Sequence, residues 1–265
     1  MKKTDNNALI FIIAALAVVF VAATMDGTNM MKLFLPAPML LVFGGAFTAS
    51  LAGIQKSDMK NVKAILKKGF KSNLEDPQEH LERMVRLAEV ARREGLLALE
   101  KAAAGIEDPF FRKGVEMTVD GVDPEEIREI LEQEIEAVEA RHKVGVRFFT
   151  DVGGFSPTLG IIGTVIGLVK VLGNLTSPNA LGPAIASAFT ATLWGILSAN
   201  IIWLPLANKL RRSSELEIAS KRLVLEGILA IQAGSSPRMV HARLQAYIPP
   251  ALRVEAKSGT KEEAA

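Results

Sequence analysis

The 265-residue chain contains no cysteine, and its three histidines, His80, His142 and His241, do not have the spacing of metal ligands. Without a thiol there is no cysteine nucleophile and no disulfide. Phosphate-binding glycine motifs after a strand are missing too. These absences argue against an enzyme, so we expect no catalytic residues, no bound metal and no cofactor. We expect each histidine to be a solvated helix residue.

Apolar and charged residues are both plentiful, since a mean hydropathy of +0.25 accompanies 23% charged residues. The two kinds of residue must therefore be segregated along the chain. Four runs approach or exceed the ~20 apolar residues that a helix needs to cross a bilayer, namely residues 8–24, 33–54, 149–173 and 181–207. They predict an all-α integral membrane protein with four transmembrane helices.

The first apolar run has an alternative interpretation as a secretory signal peptide, because Lys2 and Lys3 precede it. Asp5 interrupts the basic segment, however, and the second apolar run follows only eight residues later. That short spacing favours a helical hairpin.

Eleven basic residues near the ends of the four runs fall on one side of the membrane, whereas the loop at 174–182 carries no charge. They are Lys2, Lys3, Lys56, Lys60, Lys63, Arg141, Lys143, Arg147, Lys209, Arg211 and Arg212. Because such residues mark the cytoplasmic side, we expect both termini in the cytoplasm. The predicted order around the four spans is a cytoplasmic N-terminus (1–7), a cytoplasmic helical domain (55–148), a periplasmic loop (174–180) and cytoplasmic C-terminal helices with a tail (208–265).

Aspartate-proline pairs predict three helix starts in the inserted domain, at Asp76-Pro77, Asp108-Pro109 and Asp123-Pro124. We expect the third helix to run almost unbroken into the third span. Helical spacing predicts that the first helix buries Leu81, Met84, Val85, Ala88, Ala91, Leu96 and Leu99.

Helix signals continue after the fourth span. They predict a helix at 214–233 that ends before Gly234, and a short helix after Ser236-Pro237. Beyond Arg253 the residues are small and charged, so we expect disorder there.

Small residues recur at three- and four-residue spacing in the third and fourth spans. In the third span they are Ser156, Gly160, Gly163 and Gly167; in the fourth they are Ala184, Ala188, Ala191, Gly195 and Ala199. Such residues let helix backbones approach closely in lipid. The pattern predicts close helix packing, either within the chain or between copies around a shared axis.

Each of these two spans also contains a proline. Pro157 and Pro205 remove the backbone hydrogen bonds to the carbonyls of Gly153 and Ile201. The predicted topology places both prolines in the cytoplasmic half of the membrane. They are either simple kinks or a pair of hinges.

Two threonines, Thr164 and Thr192, lie near the middle of the same spans. A membrane threonine commonly bonds back to its own helix, and the alternative is that it lines an interior path. Proton relays use intramembrane Asp, Glu or His, but the nearest acids, Asp26 and Asp151, lie at span ends. The chain by itself therefore lacks a mid-membrane group that binds and releases a proton.

Three segments resemble the MotA/PomA family of flagellar stator subunits: residues 92–100 (RREGLLALE), 156–168 (SPTLGIIGTVIGL) and 191–205 (ATLWGILSANIIWLP). The resemblance covers nearly the whole chain. It implies an ion-driven torque generator of the bacterial inner membrane that serves motility and chemotaxis. Its ring, a homopentamer in contact with lipid, would surround a dimer of the MotB/PomB type, which supplies the ion-binding aspartate and anchors to peptidoglycan. No nucleic acid is implied.

The same resemblance assigns roles to individual residues. Arg92 and Glu100 fall on the family's charged pair that engages the rotor protein FliG, and eight residues correspond to ~12 Å along a helix. At that distance they would meet separate rotor charges rather than each other. Pro157 and Pro205 fall on the family's functional prolines, and Thr192 on its fourth-span threonine.

The coupling ion stays open. Thr164 resembles sodium-driven members, whereas Ala191 stands where sodium-driven members tend to carry a second threonine. Protons are our first choice and sodium the alternative.

Three other functions are compatible with the sequence. An ExbB/TolQ-like energising subunit shares a similar glycine-threonine motif, although two closely spaced spans before the inserted domain argue against it. The others are a self-sufficient channel or transporter and a structural membrane scaffold.

Overall fold

The computed structural model describes residues 7–56, 58, 77–103, 105–173, 175 and 178–248. Within these ranges the secondary structure consists of helices and turns, without strands. The chain divides into two compact units. The first unit comprises Met1–Asn73 and Glu139–Ser214, and the second comprises Leu74–Val138 and Glu215–Ala265. The all-α prediction is confirmed for the described residues.

Ten α-helices are present in the described part of the chain. In order they are α1 (Asn7–Met25), α2 (Pro36–Met39), α3 (Gly45–Ala52), α4 (Pro77–Glu94), α5 (Leu99–Ala103), α6 (Pro109–Val119), α7 (Pro124–Leu172), α8 (Pro178–Leu197), α9 (Leu204–Gln232) and α10 (Pro237–Gln245). Two 3-10 turns (Met30–Leu33, Leu96–Ala98) and two π-helical segments (Leu40–Gly44, Ser198–Trp203) connect some of them.

Three helical stretches of the described residues are long and apolar enough to cross a membrane. They are Ala8–Met25, Pro124–Leu172 and Leu181–Gln232, and the apolar stretch Pro36–Ala52 is shorter. At 1.5 Å per residue Pro36–Ala52 extends for ~26 Å, somewhat less than the ~30 Å hydrocarbon core. The prediction of a second span at 33–54 therefore corresponds to a shorter helical stretch in the structure.

Capping side chains confirm several of the predicted helix starts. The Asp108 side chain accepts a hydrogen bond from the Phe110 amide, and Asp123 accepts one from Glu125, so both helices start at the predicted prolines. Ser236 caps α10 in the same way. The predicted cap at Asp76 lies outside the described residues. The unbroken third helix is confirmed, because α7 runs for 49 residues.

Two predicted helix boundaries are wrong. The helix α4 ends at Glu94 because Gly95 takes φ +84°, so Leu96 and Leu99 belong to separate short segments, although Leu99 is still buried. The helix predicted at 214–233 already begins at Leu204, since apolar residues lead directly into it from the fourth apolar run. Its predicted end is confirmed, with Gly234 at φ +71°. The predicted disordered tail lies outside the described residues.

Each unit has its own apolar core. In the second unit the largest fully buried side chains include Met84, Phe110, Phe111, Leu131 and Ile228. His80 lies in this unit and is only 4% exposed. The expectation that all three histidines are solvated is therefore wrong for His80, because its position on α4 faces the core.

Candidate functional site

The backbones of α7 and α8 are in direct contact at two glycines. A Cβ atom added to Gly160 would lie 2.9 Å from the Ala191 carbonyl oxygen, and one added to Gly195 would lie 2.7 Å from that of Ser156. Real Cβ atoms essentially never approach within 3.0 Å. Any larger residue at these positions would therefore push the helices apart.

The close packing continues along both helices. A Cβ on Gly163 would lie 2.5 Å from the Ala191 Cβ, and one on Gly167 would lie 2.5 Å from the Ala188 Cβ. The remaining small residues of the two predicted stripes, Ser156, Ala184 and Ala199, are buried. The Ser156 hydroxyl bonds back to the Val152 carbonyl at 2.7 Å. The two stripes thus face each other within one chain.

The hydroxyl groups of Thr164 and Thr192 contact each other between the two helices. The Thr164 Oγ1 atom also lies 3.1 Å from the Gly160 carbonyl oxygen and 3.3 Å from that of Ala188. The Thr192 Oγ1 atom lies 3.3 Å from the same Gly160 oxygen. Two hydroxyls and two carbonyls therefore converge at one point, which we call the threonine pair.

The threonine pair is polar but uncharged. Hydroxyl and carbonyl oxygens are ligands for hard cations, and channels use such oxygens to replace an ion's water. Neither group exchanges a proton near neutral pH, so a proton relay here requires a carboxylate from elsewhere.

Pro157 adjoins the tightest contact. Its Cα atom lies 3.3 Å from the position of a Cβ on Gly195, and α7 continues through it without a break. Pro205 is the second residue of α9 and lies two residues after Trp203, which ends the π-helical segment Ser198–Trp203. Wider π turns re-arrange backbone hydrogen bonds, as a proline without an N–H requires.

An aromatic cluster on α8 escaped the sequence analysis. The indole N–H of Trp194 donates a hydrogen bond of 2.6 Å to the Leu33 carbonyl. Its ring packs against Phe20, Phe34 and Phe43 at centroid distances of 6.4, 5.3 and 5.8 Å. Periodicity carries no signal for a contact between residues 161 positions apart.

The structure places Arg92 and Glu100 on two different helices of the second unit. Arg92 is exposed in the last turn of α4, and Glu100 is exposed in the first turn of α5. The expectation that they lie on one helix is wrong, because Gly95 at φ +84° ends α4 between them. Leu97, 74% exposed, lies in the intervening turn.

An ion pair between residues 98 positions apart joins two helices of the second unit. The Arg128 guanidinium lies 3.0 Å from a carboxylate oxygen of Glu226. The hydrogen bond to Glu226 is the main cause of the raised pKa of Arg128. Burial raises the pKa of Tyr247 above its ordinary value.

Helices long and apolar enough to cross a membrane, two of them packed through an uncharged, oxygen-lined contact, define a helical membrane protein. The chain belongs to the MotA/TolQ/ExbB proton channel family, whose model matches residues 102–222, and a model for the N-terminal part of motility protein A matches residues 9–95.

Individual relatives are similar over almost their whole length. Motility protein A of Bacillus subtilis is 37% identical over 98% of both chains. The chemotaxis protein PomA of Vibrio alginolyticus is 33% identical over 92% of this chain and 95% of that one. The resemblance to the MotA/PomA family is therefore confirmed.

Solved structures agree with this relation. One chain of the C. jejuni MotAB structure superimposes with a TM-score of 0.88 at 29% identity, covering 93% of this chain and 96% of the other. One chain of the flagellar MotAB stator complex from Bacillus subtilis gives 0.85 at 36% identity, over 92% and 96%.

Proposed function

We propose that this chain is the multi-span subunit of a flagellar stator, which forms an ion-conducting complex with a MotB-like partner and converts proton or sodium motive force into torque. The observation that carries the proposal is the threonine pair at the closest approach of α7 and α8. It offers oxygens to a passing ion but no ionisable group. The similar solved structures are MotAB complexes, which supports a partner as the source of that group.

The proposed topology has four spans and places the inserted helical domain and both termini in the cytoplasm of a bacterium, with the spans in its inner membrane. The three membrane-length helical stretches supply three spans, and the shorter apolar stretch Pro36–Ala52 supplies the other. A slightly short span is accommodated by local thinning of the bilayer. The excess of basic residues near the span ends on one side supports the orientation.

The proposed ion path runs between the threonine pair and the partner's helix. An aspartate on that helix binds the ion, and the hydroxyls of Thr164 and Thr192 contribute oxygens beside it. Moving one charge through 100 mV releases ~2.3 kcal/mol. That energy biases a rotation step of the subunit ring, a homopentamer, around the partner, and Pro157 and Pro205 act as hinges in the moving spans.

The proposed contact with the rotor protein FliG involves Arg92 and Glu100. Both side chains are exposed and sit on separate helices, α4 and α5. They are therefore available to two different charges on the rotor. The exposed Leu97 between them adds an apolar contact to the same surface.

Complementation tests the proposal directly. The chain and its MotB-like partner are produced together in a flagellated strain that lacks its own stator genes, and rotation of tethered cells is recorded. We expect rotation only when both proteins are present. Flagella that stay still, with both proteins in the membrane, would overturn the proposal.

An ExbB/TolQ-like role is the second candidate, because the family model covers those proteins as well. The separate match of residues 9–95 to the N-terminal part of motility protein A favours the stator. Restored outer-membrane energisation in a strain without its own ExbB-type subunit, together with still flagella, would favour the alternative.

A further inference from the structure

Trp194 holds α8 from the side that faces away from the threonine pair. Two residues turn an α-helix by ~200°, so Trp194 and Thr192 lie on opposite sides of α8. One side packs on α7 through Gly160 and Gly195, and the other packs on the chain that joins α1 to α2. The helix is thus held between two contacts.

The hydrogen bond of Trp194 has a specific acceptor. Leu33 ends the 3-10 turn Met30–Leu33, where a carbonyl has no partner within the helix. An unpaired carbonyl in an apolar environment is costly, so the indole N–H satisfies a group that needs a donor. The surrounding rings of Phe20, Phe34 and Phe43 fix the plane of the indole.

This arrangement determines the rotation of α8 about its own axis. The contact with α7 is built from small residues, and their short side chains offer little steric resistance to rotation of α8. On the other side of α8 the bulky, hydrogen-bonded indole of Trp194 is only 6% exposed, and it resists that rotation. A small rotation of α8 would carry the Thr192 hydroxyl away from Thr164 and from the Gly160 carbonyl, which it meets at 3.3 Å.

We propose that Trp194 is a positioning residue for the ion path, which holds Thr192 at Thr164 and thereby determines how the complex responds to ion concentration. The inference rests on the proposed function. It assigns to the Leu33 carbonyl and the Trp194 indole a role in ion coupling, although neither touches the ion.

Trp203 provides a matched control. It also lies in an aromatic cluster, with Phe47 and Phe149 at 5.2 and 6.4 Å between ring centroids. Its indole N–H, however, is buried without a hydrogen-bond partner among the described residues. Trp203→Phe therefore removes an indole of the same size without breaking a hydrogen bond, whereas Trp194→Phe breaks one.

The experiment measures rotation speed of tethered cells against external pH and against sodium concentration, for the chain produced with its MotB-like partner. We expect Trp194→Phe to shift the half-saturating ion concentration by about fivefold, the factor that one hydrogen bond typically contributes to an equilibrium. Membrane abundance should stay at the level of the unmodified chain. Trp203→Phe should leave the ion dependence unchanged.

A second arm asks whether Trp194 acts through Thr192. In a chain that already carries Thr192→Ala, Trp194→Phe should cause no further shift, because coupled residues are not additive. An unchanged ion dependence in Trp194→Phe, an equal shift in Trp203→Phe, or additive shifts in the double variant would each overturn the inference. Cells that carry the unmodified chain and its partner test the proposed function in the same experiment. If these cells rotate, the proposed function stands whatever the result for Trp194.

Discussion

At the scale of single residues, two glycines of α7 illustrate how differently the same residue type is used. Gly160 lies against the backbone of α8, with the Ala191 carbonyl oxygen 2.9 Å from the position of a Cβ. At Gly154 an added Cβ would meet no described atom within 4 Å. Both lie in the same helix, so substitutions at the two positions separate helix packing from helix propensity.

We expect Gly160→Ala to abolish rotation and to destabilise the first unit by ~1–3 kcal/mol, the usual range for overpacking. Cells with Gly154→Ala should rotate normally, because the added Cβ meets no described neighbour and alanine favours a helix over glycine by ~1 kcal/mol. Thermal unfolding in detergent and tethered-cell rotation measure the two effects. Equal behaviour of the two variants would contradict the backbone contact.

Hydroxyl groups show a similar contrast. Thr164 faces Thr192 across the helix contact, whereas the Thr158 hydroxyl on the same helix is exposed and bonds back to the Phe155 carbonyl at 2.8 Å. Both hydroxyls bond back to their own helix, Thr164 to the Gly160 carbonyl at 3.1 Å, but of the two only Thr164 also meets groups of α8 among the described residues.

Thr164→Val keeps the shape of the side chain and removes its hydroxyl. We expect slower ion-driven rotation at low ion concentration, because the threonine pair loses an oxygen, with recovery at high concentration. Thr158→Val should match the unmodified chain at every concentration. Rotation speed as a function of pH and sodium decides the outcome, and identical curves for Thr164→Val and the unmodified chain would exclude a role for this hydroxyl.

At the scale of elements, the ends of α4 and α5 determine where the second unit places its exposed charged residues Arg92 and Glu100. Gly95 at φ +84° and ψ 169° adopts a backbone conformation that is nearly restricted to glycine. It ends α4 and allows the short turn before α5. Arg92 and Glu100 therefore belong to two different helices, which suits recognition of two separate charges.

Charge reversal tests this element. Arg92→Glu and Glu100→Lys should each impair swimming while membrane abundance stays normal, because the rotor contact becomes repulsive. A reversed charge on FliG should restore swimming for one variant and not for the other. Arg86→Glu, an exposed position earlier in α4, serves as the control. If cells with either charge reversal swim like cells with the unmodified chain, the assigned contact is wrong.

At the scale of the whole molecule, the chain fully buries few residues of two membrane-length helices. Only 6% of the residues of Ala8–Met25 and 11% of the most apolar part of Pro124–Leu172 are buried within the chain. Lipid, other copies and a partner helix are available to cover this surface. A lone chain is therefore incomplete in both apolar contacts and ionisable groups.

We expect the chain alone, reconstituted in lipid vesicles, to conduct neither protons nor sodium under a potassium diffusion potential. The physical reason is that the apolar runs carry no carboxylate near mid-membrane, since Asp26 and Asp151 lie at span ends, so a bare ion meets only neutral oxygens there. Interior pH-sensitive and sodium-sensitive dyes report the flux, and added gramicidin verifies the potential. Sustained flux through the chain alone would favour the self-sufficient channel.

Local patterns in the sequence predicted much of the fold because they act between near neighbours. Asp108, Asp123 and Ser236 each cap a helix a few residues away, and the apolar runs follow from length and composition. The small-residue stripes predicted close packing but left two partners open, the same chain or another copy. The two stripes face each other within the chain, a choice that depends on how distant segments fold together.

The sequence by itself determined the helical class, most helix starts, the absence of an acidic residue from the middle of the apolar runs, and the family. Only the tertiary structure decided that the hydroxyls of Thr164 and Thr192 meet, that His80 is buried, and that Trp194 bonds to Leu33. These contacts join residues far apart in the chain, or depend on which face of a helix the core covers. Periodicity and composition describe neighbours along the chain, whereas packing selects neighbours in space.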